Sequence, residues 1–140
     1  MKKLILCALL ILLAVFPAAA TDQEDAAADA VAAAFAQARQ AAHLPKLERM
    51  SRNKFREKVC QQDMRFASGL IKTVRYETFD PAQIPESAQQ LAKETYQSTM
   101  PARFGVGVCA AKDSPVGQPK FSVLIATYES RSASFWRTFD

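Results

Sequence analysis

Two alternating segments near the C-terminus constrain the fold of this chain more than any other feature. Residues 103–111 alternate between larger apolar and small side chains, the period of two that is typical of a β-strand. Residues 120–128 form a second strand pattern with apolar side chains on both faces, which favours a central position covered from both sides. The polar residues 112–119 join the two segments. We therefore predict an antiparallel hairpin that lies between helical layers.

The first hairpin strand has one face with almost no side chains. Gly105 and Gly107 lie on this face, whereas Phe104, Val106 and Val108 lie on the other. Because glycine has no Cβ, a neighbouring element can approach the backbone closely there. We expect a bulky group to pack against the two glycines.

The rest of the chain alternates between helical and extended patterns. Helix-favouring alanines follow Thr21 and Glu24, which have the spacing of a capping box. The spacing of apolar residues, prolines and glycines predicts the other elements. The predicted elements before the hairpin are a helix from Thr21 to about His43, a helix over residues 51–66, a strand over residues 71–79, and a helix over residues 86–97 that begins at Pro85. We predict an α+β fold, a small α-β-α sandwich with a three-stranded antiparallel sheet packed against helices, onto which the tail residues Phe135, Trp136 and Phe139 fold back.

The N-terminus has the pattern of a signal peptide. Lys2 and Lys3 precede an apolar run over residues 4–16 that is too short to span a bilayer, and three alanines supply a cleavage site. We predict that residues 1–20 are a signal peptide and that residues 21–140 form one exported domain, periplasmic or secreted. No later apolar run reaches membrane-spanning length, so no membrane span is expected in the mature chain.

Charge limits the classes of partner. The formal net charge of +4 includes the two lysines of the predicted signal peptide, so the mature chain has a smaller positive charge. This charge gives little attraction for nucleic acid. Six basic residues nevertheless lie between Lys46 and Lys58. They form either a solvated helix face or a surface for an anionic partner, for which Arg49, Arg52 and Arg56 are the candidate contacts.

Cysteine and histidine offer little for catalysis or metal binding. Cys7 would be removed with the signal peptide, which leaves Cys60 and Cys109 either as a disulfide or as two separately buried thiols. The only histidine, His43, lies at a predicted helix exit. This set has no usual zinc spacing, and no Gly-x-Ser-x-Gly motif exposes a serine. We expect no catalytic residue, metal or cofactor.

A hydrolase remains an alternative if two carboxylates face each other across a cleft. Glu77 with Asp80, or Glu86 with Glu94, are the pairs that the chain offers. Their spacing does not distinguish them from ordinary surface charges. A small periplasmic inhibitor or interaction protein is a third alternative.

Several short phrases occur in an order found in one protein family. Arg39 is followed by residues 42–47 with the sequence AHLPKL, residues 62–64 read QDM, and residues 104–108 read FGVGV before the second hairpin strand. These phrases, with the order of the predicted elements, resemble the bacterial branch of the CAP superfamily (cysteine-rich secretory proteins, antigen 5 and pathogenesis-related 1). The resemblance implies an α-β-α sandwich.

The cation site of that family is not matched. Members with an intact cavity carry two histidines and two acidic residues, but RFAS follows Met64 where the first histidine is expected, and His43 does not correspond to the cavity. The resemblance implies that Glu77 is the remnant of one of the family's acidic positions. Together with the predicted signal peptide and the basic residues 46–58, the resemblance predicts an exported non-catalytic binding domain, whose partner would be an anionic lipid, a cell-envelope polymer or another protein.

Overall fold

A computed structural model describes the backbone of residues 2–95 and 101–130, and the side chains of these residues from Asp22 onward apart from Asn53. The chain is α+β, as predicted. Its elements are α1 (Lys2–Ala41), β1 (Glu48–Arg49), α2 (Arg52–Cys60), β2 (Leu70–Thr78), α3 (Glu86–Lys93), β3 (Arg103–Ala110) and β4 (Phe121–Tyr128). The predicted packing of Phe135, Trp136 and Phe139 lies outside the described residues.

The sheet contains the predicted hairpin, but it is larger than predicted. Its strand order is β1-β3-β4-β2, and β4 pairs antiparallel with both β3 and β2. The prediction of a three-stranded antiparallel sheet was wrong, because β1 adds a parallel strand at the outer edge of β3. The backbone N–H of Met50 donates to the carbonyl of Phe104 at 2.8 Å. The backbone groups at the edge of β3 need hydrogen-bond partners, and β1 supplies them. The sequence did not predict β1, because two residues are too few to show a period of two.

Helices cover both faces of the sheet, as predicted for a central strand apolar on both sides. On one face, Val31 and Phe35 of α1 belong to a buried cluster with Ile125, and α3 completes this layer. On the other face, Phe55 of α2 packs in a second cluster with Leu124. The strand β4 is therefore buried between two apolar cores.

The glycine face of β3 receives α2. A Cβ built on Gly105 would overlap the Phe55 ring, and one built on Gly107 would overlap the Phe55 carbonyl group. This close approach confirms the predicted role of the two glycines. It also brings Cys60 to within 5.3 Å of Cys109, measured between Cα atoms.

Helix boundaries differ from the prediction at three places. The helix α1 does not begin at Thr21 but continues through it. The carbonyl groups of the preceding turn accept the backbone N–H groups that a capping side chain would otherwise bind. The helix α2 ends at Cys60 rather than near residue 66, since Gln62 has a left-handed φ of 52°. The helix α3 ends at Lys93, after which Glu94 is extended. No helix in the described part of the chain is long and apolar enough to cross a membrane.

Tyr76 on β2 gives the fold an expected sensitivity to alkaline pH. Its hydroxyl is buried without a hydrogen-bond partner among the described residues, and burial raises the pKa of Tyr76 from 10.0 to about 12. An unfolded tyrosine ionises first, so stability should be complete below pH 10 and fall as the pH rises toward 12. We expect Tyr76→Phe to remove about 1 kcal/mol of that fall, after allowance for solvent screening, and to cost nothing at neutral pH. Urea unfolding at neutral and alkaline pH measures both effects, and an unchanged alkaline fall would contradict the assignment.

Candidate functional site

A groove runs between α1 and the edge strand β1. It consists of two adjoining cavities of 470 and 700 Å³, and we call it the α1–β1 groove. The two cavities share four of their lining residues, namely Ala36, Lys46, Leu47 and Phe104. These volumes lie in the range of small-molecule sites.

The groove follows from the small side chains of α1. Ala32, Ala33 and Ala36 line it, and an alanine side chain ends at Cβ, so the helix does not fill the space beside β1. Phe35 and Phe104 are stacked with their ring centroids 5.1 Å apart, and both line the smaller cavity. The wall shared by α1 and β3 is therefore aromatic.

Arg39 is a buried charged residue that lines the smaller cavity but not the larger one. It lines the cavity although it is only 2 % exposed. Its Nε donates to the carbonyl of Pro45 at 2.6 Å and its Nη1 donates to the carbonyl of Ala92 at 3.1 Å. Its Nη2 is buried without a hydrogen-bond partner among the described residues. The guanidinium is thus held in place by two neutral acceptors, with one nitrogen left unsatisfied.

The charge of this cavity is positive. Arg39 and Lys46 line it, and no carboxylate does so among the described residues. Loss of hydration in the buried position lowers the pKa of Arg39. An uncompensated buried cation is costly, and an anion within reach would offset that cost.

The three arginines predicted to contact an anionic partner are paired with α1. Arg49 and Arg52 both bind Asp29, at 2.8 and 3.1 Å, whereas Arg56 binds Glu24 at 2.6 Å. The structure therefore brings Arg49 and Arg52 together but places Arg56 at a separate ion pair. Arg49 also lines the larger cavity of the groove, and its Nε and Nη2 are buried without hydrogen-bond partners among the described residues.

The carboxylates considered for hydrolysis each have another partner. Glu77 binds Lys120 at 2.7 Å and Glu94 binds Lys72 at 2.6 Å. The carboxylate of Asp80 accepts a backbone N–H two residues along the chain, and that of Glu86 accepts from the Gln90 amide. Glu77 lines a cavity of 510 Å³ that has no second carboxylate among its described lining residues.

The cysteines form a disulfide, which resolves the two alternatives left open by the sequence. The bond joins α2 to β3 through Cys60 and Cys109, which are 49 positions apart. A carboxylate oxygen of Glu24 and the two sulfurs all lie within 4.8 Å of one another. His43 is exposed at the exit of α1 with a left-handed φ of 57°, as expected for a residue at a helix end.

Sequence reasoning did not identify Arg39, which lines the groove, or Glu24, which lies beside the disulfide, as candidate functional residues, although a signal was present. Arg39 lies four residues after Phe35, and Glu24 lies seven residues before Val31. Both therefore fall on the buried stripe of α1, where a charged residue is unusual. Buried charges of this kind mark candidate functional positions.

Comparison of the chain with protein-family models, curated proteins and solved structures found no match. The resemblance to the CAP superfamily therefore stays a prediction.

Proposed function

We propose that this protein is an exported, non-catalytic binding domain of CAP-like type, whose partner is an anionic, partly apolar component of the cell envelope. The predicted signal peptide supports export. The Cys60–Cys109 disulfide adds support, because disulfides form and persist in oxidising compartments. The α1–β1 groove is the proposed binding site.

The observation that carries this proposal is the buried guanidinium of Arg39. It lines an apolar cavity, it has no carboxylate partner among the described residues, and its Nη2 makes no hydrogen bond there. A carboxylate or phosphate group of a ligand would supply a charge-assisted hydrogen bond at this position. The apolar part of the same ligand would lie against Phe35, Leu47 and Phe104, which line the same cavity.

Beyond Arg39, Lys46 and Arg49 line the larger cavity of the groove, and Asp29 and Glu48 balance their charges there. Arg49 lines the larger cavity, and Arg52 shares Asp29 with it. Their side chains are 30 % and 47 % exposed, so they can exchange Asp29 for an anionic group of a polymer or lipid. Arg56 lies farther along α2 and would contact only a ligand that extends past the groove.

Binding of dodecanoate compared with uncharged dodecan-1-ol tests the proposed site. We expect calorimetry to detect the acid and to show at least about tenfold weaker binding of the alcohol, because only the acid pairs with Arg39. Arg39→Met should remove this preference. The matched control is Arg75→Met, which alters an exposed arginine on β2 and should leave it intact. Equal binding of acid and alcohol would contradict the role of Arg39.

Salt separates the contribution of Arg39 from that of the exposed arginines. A buried pair is screened weakly, whereas attraction to Arg49 and Arg52 should decrease steeply with ionic strength. We expect dodecanoate binding to change little with salt, and binding to anionic vesicles to fall in salt and in Arg52→Met. Loss of dodecanoate binding in salt would instead place the acid at the exposed arginines.

A further inference from the structure

We propose that reduction of the Cys60–Cys109 disulfide creates a binding site for a thiophilic divalent cation such as Zn²⁺. The protein ligands would be the two cysteine sulfurs and the carboxylate of Glu24. The three residues come from α2, β3 and α1, so the site joins all three elements. It is distinct from the α1–β1 groove and does not depend on the function proposed there.

The three donors already converge in the oxidised protein. One carboxylate oxygen and both sulfurs lie within 4.8 Å of one another, although the residues are far apart in sequence. Glu24 is only 8 % exposed, and its Oε1 accepts the backbone N–H of Ala110 at 3.1 Å. The carboxylate is thus held beside the sulfurs by β3 itself. Two thiolates and a carboxylate are a ligand set that suits zinc.

The disulfide is open to solvent on the side of Cys60, whereas Cys109 is half-buried. Cys60 is exposed and lines a cavity of 470 Å³ together with Arg56, Glu57 and Gln61. This cavity gives a reductant and a cation a route to the bond. It also leaves room for water as a fourth ligand, the arrangement of a zinc site with three protein ligands.

Reduction of the disulfide makes the two sulfurs available as negatively charged ligands, so the cation binds only to the reduced protein. The S–S bond takes two electrons and two protons and becomes two thiols; a dithiol that supplies them is oxidised to a disulfide, and a phosphine, with water, is oxidised to a phosphine oxide. Binding of the cation then releases those two protons and leaves two thiolates. With Glu24 they carry three negative charges, two of which the divalent cation balances. A two-electron oxidant such as a second disulfide, which is itself reduced to two thiols, re-forms the S–S bond, removes both thiolate charges and so releases the cation.

Arg56 is the competitor that the cation must displace from Glu24. Its Nε donates to Oε2 at 2.6 Å, whereas Oε1 faces Ala110. The Arg56 side chain is 38 % exposed, so it can turn toward solvent while Oε2 becomes a ligand. The carboxylate keeps its backbone hydrogen bond in both states.

The experiment uses Co²⁺ as a spectroscopic probe of the purified protein. The protein is reduced anaerobically with tris(2-carboxyethyl)phosphine, its fold is checked by circular dichroism, and Co²⁺ is added. We expect one equivalent to bind with thiolate-to-cobalt charge transfer and the intense visible bands of a tetrahedral site, and Zn²⁺ to displace it. The oxidised protein should show neither signal.

Two carboxylate variants test the third ligand. Glu24→Gln should weaken Co²⁺ binding by at least about tenfold. Glu57→Gln is the matched control, because Glu57 lines the same cavity but is not one of the three donors. Equal affinities of the two variants, or Co²⁺ spectra without thiolate charge transfer, would overturn the proposal.

The outcome remains decisive if the reduced protein unfolds. Zn²⁺ should then restore the native circular dichroism spectrum, because binding to a site formed only in the folded state drives folding. It should do so far less effectively in Glu24→Gln than in Glu57→Gln. Failure of Zn²⁺ to restore the fold, like failure to bind the folded reduced protein, would show that the disulfide is a structural cross-link only.

Discussion

Serine in place of both Cys60 and Cys109 is expected to lower the free energy of unfolding by about 4 kcal/mol. The cross-link joins positions 49 apart and restricts the unfolded chain, so its loss mainly stabilises the unfolded state. Urea unfolding followed by circular dichroism measures the change. The effect is large because small domains are stable by only about 5–15 kcal/mol.

Reductant provides the control for this prediction. It should lower the stability of the wild-type protein to that of the Cys60→Ser/Cys109→Ser variant, and it should not affect the variant. These measurements require a chelator, because bound Zn²⁺ would stabilise the reduced wild-type protein. Equal stability of the oxidised protein and the variant would contradict the expected role of the cross-link.

Alanine in place of Gly107 is expected to cost about 3 kcal/mol. The added Cβ would overlap the backbone carbonyl of Phe55 and would lie 2.9 Å from a Val59 methyl group. A backbone obstacle moves only if the whole of α2 moves away from the sheet. That movement would disturb the cluster of Phe55 with Leu124 on this face. The midpoint of thermal or urea unfolding measures the loss.

A comparison with Gly105 separates the effect of contact with the Phe55 ring from the effect of contact with the backbone of α2. A Cβ there meets only the ring of Phe55 among its nearest atoms, whereas Gly107 faces the backbone of the same residue. Gly105→Ala should therefore cost much less when Phe55→Ala has removed the ring, which is a strong coupling in a double-mutant cycle. Gly107→Ala should keep its cost in that background. Equal relief of both substitutions would show that ring packing, and not helix approach, limits this face.

The hairpin and its two faces could be predicted because a strand has a local signature. A period of two predicts which side chains share a face of the sheet. In the structure, Val123 and Ile125 of β4 lie in one core cluster and Leu124 lies in the other, as this period requires. The glycine face likewise predicted a close neighbour, although it did not identify Phe55. The end of α1 could be predicted as well, since Pro45 disfavours helical geometry in the residue before it.

Sequence alone determined the α+β class, the hairpin and the helical segments, because each depends on residues that are neighbours along the chain. Tertiary structure alone decided the parallel pairing of β1, the open groove beside Arg39, and the meeting of Glu24 with Cys60 and Cys109. These features depend on how α1 and α2 dock on opposite faces of the sheet. Docking brings together groups from distant segments, and no local spacing encodes which of them will meet.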